Sequence, residues 1–279
     1  VETQKSIELA PGIRMNFVRI PAGSFVMGSN RGHSDYSPVS KQVVKKAFWM
    51  GEIEVSNEQF RTIFPDHNSR FIGQLWKDHV HEGYPANNLE QPAIRVSWQE
   101  AMDFCKKLSE KTGLNVTLPT EVQWEWACRA GSADDFWYGS LNADFAKFEN
   151  LADAQLNKAA VRGVNPQPMS PKDGWYKYYT YQPKENGVDD GNMLMVKGGS
   201  YQANPWGLYD MQGNVAEWTR SDYMPYPYNE KTQDGTGTEK VARGGSWTEH
   251  PKTCTSYYRK AYLPWQKVYN VGFRVIIED

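Results

Sequence analysis

Between Asn204 and Trp218 the chain reads N-P-W-G-L-Y-D-M-Q-G-N-V-A-E-W, and this stretch limits what the rest can fold into. Its apolar residues Trp206, Leu208, Met211, Val215 and Trp218 surround two acids, Asp210 and Glu217, separated by a Gly-Asn turn. An unpaired carboxylate buried among such side chains is expensive, so these acids need solvent or a cation. A hard cation held by two carboxylates and the carbonyls of the turn meets that need with oxygen donors alone, as calcium does. The spacing departs from the EF-hand loop, and spacing alone favours the simpler reading of two surface-facing acids flanking a turn.

Around this stretch the punctuation of the chain is legible. Residues 16–30 read as a strand, a Pro-Ala-Gly-Ser turn and a second strand, which predicts a hairpin. Residues 41–54 predict another strand, and Ser56-Asn57-Glu58-Gln59 caps a short helix carrying Phe60 and Ile63. Residues 65–91 lack a sustained period and predict an irregular loop; its His79 and His81 have no third ligand at metal-binding spacing. Two capped helices follow, one opened by Ser97 and stopped by Gly113, the other opened by Thr120 and ended by Gly131. In the second, Val122, Trp126 and Ala127 are expected to face inward. Residues 132–202 are polar and turn-rich, a length uncommon in a compact domain unless something pins it. Strands are expected again at 241–247 and 271–277. No low-complexity linker and no internal repeat interrupts the sequence, which predicts one domain over 1–279.

A net charge of −2 with no polybasic run argues against a nucleic-acid or anionic-membrane partner. No apolar run approaches membrane-spanning length. Three cysteines, Cys105, Cys128 and Cys254, make no disulfide framework; the first two sit in helical patterns and Cys254 in a polar loop. The chain begins at Val1 rather than Met, so an upstream segment, such as a signal or lipid anchor, is expected to have been removed. The 11 Trp and 16 Tyr can fill a helix-poor core or line a groove for peptides or sugars.

Several segments together resemble the formylglycine-generating enzyme, or sulfatase-modifying factor, family. They are Ile20 to Gly28, Glu54 to Phe60, Val96-Ser97-Trp98, Leu118 to Ala127, the Asn204–Trp218 stretch, Arg243 to Trp247 and Gly272 to Val275. Their order and reach over nearly the whole chain carry the resemblance. It implies an α+β, C-type-lectin-like fold with few helices, small mixed sheets and much irregular loop. It also implies two structural calcium ions. One falls on the Asp210 and Glu217 side chains with the Gly213 and Val215 carbonyls. The other falls on Asn150 and Asp190 with the carbonyls of Leu151 and Asn192, and would tie both ends of the long loop.

Active enzymes of the family oxidise a sulfatase cysteine to formylglycine with oxygen and copper(I), which two cysteines five positions apart hold. Soft copper(I) requires both thiolates. The corresponding run here, Ser246 to Cys254, keeps the second as Cys254 but carries Glu249 at the first position, so copper is doubtful. The expected reading is a copper-free, extracytoplasmic (secreted, periplasmic or lipid-anchored) binding or assembly module for a protein, peptide or glycan ligand. One alternative is an active oxidase with Cys254 catalytic and Ser246 in support. A second is a carbohydrate-binding module, for which Trp137, Trp175, Trp265 and Tyr257 are the groove candidates. The iron-ligand pattern of the family's sulfoxide synthases, H-x-x-x-H-x-E, has no match here.

Overall fold

The structure, a computed structural model, describes residues 2–72, 84–162, 165–168, 185, 187–229 and 237–279. His79, His81, Trp175 and most of the long loop's centre lie outside the described residues. In chain order the strands are β1 (Gln4–Ala10), β2 (Ile13–Ile20), β3 (Gly23–Met27), β4 (Ser40–Val44), β5 (Phe48–Gly51), β6 (Phe71–Ile72), β7 (Tyr84–Pro85) and β8 (Asn115–Thr117). After them come β9 (Ala159–Arg162), β10 (Asn165–Pro168), β11 (Ala216–Asp222), β12 (Lys240–Arg243), β13 (Arg259–Tyr262), β14 (Val271–Gly272) and β15 (Ile276–Glu278). The α-helices are α1 (Asn57–Arg61), α2 (Trp98–Thr112) and α3 (Glu121–Arg129).

All three helices open on the capping boxes the sequence predicts. Ser56, Ser97 and Thr120 each accept the N3 backbone N–H, and Gln59, Glu100 and Gln123 return the bond. Gly113 closes α2 in the left-handed region at φ 72°. The α3 reading needs one correction: Trp124, not Trp126, is the fully buried tryptophan, while Trp126 is part-buried and donates to the Pro21 carbonyl.

Strand pairing departs further from expectation. A five-stranded sheet runs β1-β2-β5-β15-β8 and a four-stranded sheet β13-β12-β11-β14. The hairpin predicted over 16–30 does not form. β2 turns back on β1, and β3 leaves to pair with β4. Gly23, at the start of β3, lies against the Trp126 ring, where a side chain would collide, and this contact draws β3 onto α3. The strand expected over 41–54 splits into β4 and β5, and that over 271–277 into β14 and β15, one piece in each large sheet. The largest hydrophobic cluster packs Phe17, Phe104, Trp218, Phe273 and Val275, so both sheets and α2 share one core. A second packs Trp124, Leu208 and Met211 beneath α3.

Ions are also buried within these layers. Glu121 meets Arg259 and Arg243, and Glu125 meets Arg129 and Arg243, so α3 is bolted to β12 and β13 by charge. Among the described residues no helix is long and apolar enough to cross a membrane.

Candidate functional site

The two acids of the organising stretch are not at the surface. Asp210 is 1% exposed and Glu217 0%, which overturns the surface-facing reading and restores the need for compensating charge. They find it differently. Glu217 is held by Arg274, whose Nε lies 2.9 and 2.8 Å from its two oxygens, and it also accepts Trp124 Nε1 at 2.8 Å. Arg274 spends its remaining donors on the carbonyls of Gly51, Glu52 and Tyr209. Asp210, in the left-handed region at φ 57°, accepts the Gly199 N–H at 2.7 Å through Oδ2 and leaves Oδ1 buried without a partner.

A further acid, missed in the sequence, faces the same place. Glu54 accepts Asn214 Nδ2 at 3.1 Å through one oxygen, while the other is buried and unpartnered. Burial raises its pKa well above the carboxylate range and the Asp210 carboxylate raises it further, so the two lie close enough to repel. Burial also raises Asp210 to about 6. Neither the Gly213 nor the Val215 carbonyl accepts a hydrogen bond from a described residue. Tested against calcium, the Asp210 and Glu54 oxygens and these carbonyls fit a hard cation, whereas Glu217 is committed to Arg274. Gly213 packs directly on the Asn150 backbone, where a Cβ would clash.

Asn150 begins the second expected site. Its Nδ2 donates to the Leu194 carbonyl at 2.8 Å and its Oδ1 is buried and open. Both Asp190 oxygens already accept hydrogen bonds, one from the Asn192 N–H at 2.7 Å and one from the Tyr201 hydroxyl at 2.8 Å. The loop ends are joined all the same. Asp153 accepts the Asp190 N–H at 2.6 Å, and backbone bonds link Glu185 to Ala152 and Ala154 to Val188. Burial, with Asp153 opposite, raises Asp190 to about 7. Asp153 is a second acid the sequence reading overlooked. Among the described residues no three His, Cys, Asp or Glu side chains converge on one metal position, so either site would depend on carbonyl donors.

The run from Ser246 to Cys254 holds a different arrangement. Ser246 donates to Glu249 Oε2 at 3.1 Å and accepts Asn270 Nδ2 at 2.9 Å, while Lys260 pairs with the other Glu249 oxygen. Cys254, expected in a polar loop, is 1% exposed. Its thiol points at the Glu249 and His250 carbonyls, 3.7 and 3.5 Å away, and burial lifts its pKa to about 12. Gly245, at φ 74°, lets the backbone pass so close that any side chain there would overlap the Cys254 sulfur. His250 caps a short turn by accepting the Lys252 N–H.

The model of the sulfatase-modifying factor enzyme 1-like domain matches residues 7–279. The chain belongs to this family. The formylglycine-generating enzyme of Mus musculus is 24% identical over 92% of this chain and 73% of its own. The inactive C-alpha-formylglycine-generating enzyme 2 of Bos taurus is 27% identical over 87% of this chain and 80% of its own. Among solved structures, PvdO from Pseudomonas aeruginosa superposes with a TM-score of 0.70, covering 99% of this chain and 98% of that one at 23% identity. Few helices, small curled sheets and long loops are thus the family's C-type-lectin-like architecture, as the motifs implied.

Within this sulfatase-modifying-factor fold the residues do not fit copper(I). Glu249, at the first sulfur position, is already paired with Lys260 and hydrogen-bonded by Ser246, and a carboxylate is a hard donor. The groove candidates sort unequally. Tyr257 is buried against Tyr36 and Asp135, and Trp137 is tied to Glu149. Trp265 alone of the described candidates is open, at 63% exposed.

Proposed function

We propose that this chain is a copper-free sulfatase-modifying-factor domain, an extracytoplasmic scaffold clasped by calcium that binds or assembles a partner rather than oxidising a cysteine. The observation that carries the reading is the Glu249–Lys260 pair. Glu249 stands at the first sulfur position and pairs with Lys260, and the surviving thiol is buried with its proton held tightly. The unpartnered oxygens of Asp210, Glu54 and Asn150 support calcium, since buried carboxylates and amides in folded proteins are otherwise satisfied. Asp210, Gly213, Val215 and Glu54 would hold the first ion; Asn150, Leu151, Asp190 and Asn192 the second.

The test is a copper(I) titration of the purified chain followed by turnover on a Cys-x-Pro-x-Arg peptide in air. The reading expects weak, non-stoichiometric copper uptake and an unchanged peptide cysteine. Formylglycine product would replace it with the oxidase reading.

A further inference from the structure

A broad groove lies away from the Ser246–Cys254 run. It encloses about 880 Å³ and is lined by Phe64, Arg70, Arg95, Tyr262, Trp265 and Tyr269 among others. Its walls are fixed from within. Arg95, in the left-handed region at φ 54°, donates its own N–H to the Val268 carbonyl at 3.1 Å, reaching the loop that carries Trp265. Its guanidinium reaches the opposite wall, bonding the carbonyls of Ser69 and Phe71. The Trp265 loop is braced further by the Leu263 N–H on Gln266 and by the Gln99 N–H on the Pro264 carbonyl.

Among the described residues the charge in the groove is unbalanced. Lys267 is answered by Glu100 at 2.6 Å, and burial keeps His67 neutral near neutral pH. Arg95 and Arg70 both line the groove and neither meets a described carboxylate, since the guanidinium of Arg95 bonds only carbonyls and the Arg70 side chain pairs with no described acid. Asp66 is the only other acid lining the described walls, and it pairs with neither arginine. Burial and the neighbouring Arg70 lower Arg95 to about 10. Guanidinium forks match carboxylate and sulfate oxygens two at a time. Beside them the open Trp265 ring, with Tyr262 and Tyr269, offers the flat faces on which the apolar sides of sugar rings rest.

The geometry points to this groove as a site for an acidic oligosaccharide, with Arg70 and Arg95 taking its carboxylate or sulfate group and Trp265 its ring face. This assignment rests on the binding-module reading and names its ligand class. Titration of tryptophan fluorescence on the intact chain tests it with four probes: oligogalacturonate, sulfated dextran, maltohexaose and a poly-glutamate peptide. Saturable binding of oligogalacturonate or sulfated dextran, whichever group is preferred, is expected at least tenfold tighter than maltohexaose or poly-glutamate, and weakening with salt. Arg70→Gln and Trp265→Ala, both at exposed positions with no side-chain partner to lose, should each weaken it about tenfold. Failure of both acidic sugars to bind, equal binding of poly-glutamate, or indifference to both substitutions would overturn the assignment. Peptide oxidation measured on the same preparation separates the two levels: no sugar binding without formylglycine removes only the groove, whereas formylglycine removes the module reading itself.

Discussion

Arg274 grips Glu217 through both carboxylate oxygens, with Nη2 2.6 Å from Oε1 and Nε within 2.9 Å of each, in a setting where neither side chain reaches solvent. Arg274 also ties down three carbonyls, so the pair connects the Gly51–Glu52 bend, the Tyr209 turn and β11. Glu217→Gln strands a buried guanidinium and should cost about 3–5 kcal/mol. Urea unfolding measures it; a loss below about 1 kcal/mol would show that the charge is compensated elsewhere.

Calcium should act on the acids that Arg274 does not reach. If the ion binds only the folded chain, a concentration a hundredfold above its Kd adds about 2.7 kcal/mol. EGTA should therefore lower the melting temperature. Asp210→Asn or Glu54→Gln should shrink that effect. A melting curve unmoved by EGTA in the wild-type chain removes the calcium clasp.

The Glu249–Lys260 pair should behave as a coupled unit. Glu249→Gln leaves a nearly enclosed Lys260, whose pKa burial lowers to about 7, and Lys260→Met leaves a nearly enclosed carboxylate, each costing about 2 kcal/mol. The double substitution should cost less than the sum of the two. A double-mutant cycle by denaturant unfolding reads the difference, and strict additivity would mean that the pair does not interact.

How far the sequence reaches can be judged from particular residues. Ser56, Ser97 and Thr120 were legible because a capping box is closed within four residues. The partner of β3 was not, because it depends on Gly23 meeting a tryptophan a hundred or so residues later. Asp210 was legible as an acid in apolar surroundings, yet Glu54 was not, since only the folded chain brings the Glu54-Val55-Ser56 corner against the later turn. Cys254 looked polar by its neighbours and is buried by Gly245, a contact across nine positions that spacing does not reveal. Trp265 was one of four groove candidates, but the two arginines that line the same groove belong to distant segments.

One pH dependence follows from the groove side of the molecule. Burial, opposed by Glu100, holds the His67 imidazole down to about 4, with its ring edge-on to Phe60 and 3.1 Å from Ser69 Oγ. The unfolded chain takes up that proton near 6.5, so the contribution is complete above this pH and is lost as pH falls toward about 4. After allowance for solvent screening the loss is about 1–2 kcal/mol. His67→Asn should flatten this part of the stability profile when calcium is held constant; an unchanged slope would assign the acid sensitivity to the carboxylates.

Whether this domain can hold copper turns on the sulfur of Cys254 and on the residue that stands where its companion would be. Anomalous diffraction at the copper edge, from crystals soaked in copper(I), tests it most directly. No copper peak is expected beside Cys254, with Glu249 still paired to Lys260. A peak bonded to the Cys254 sulfur, with Lys260 displaced from Glu249, would contradict it.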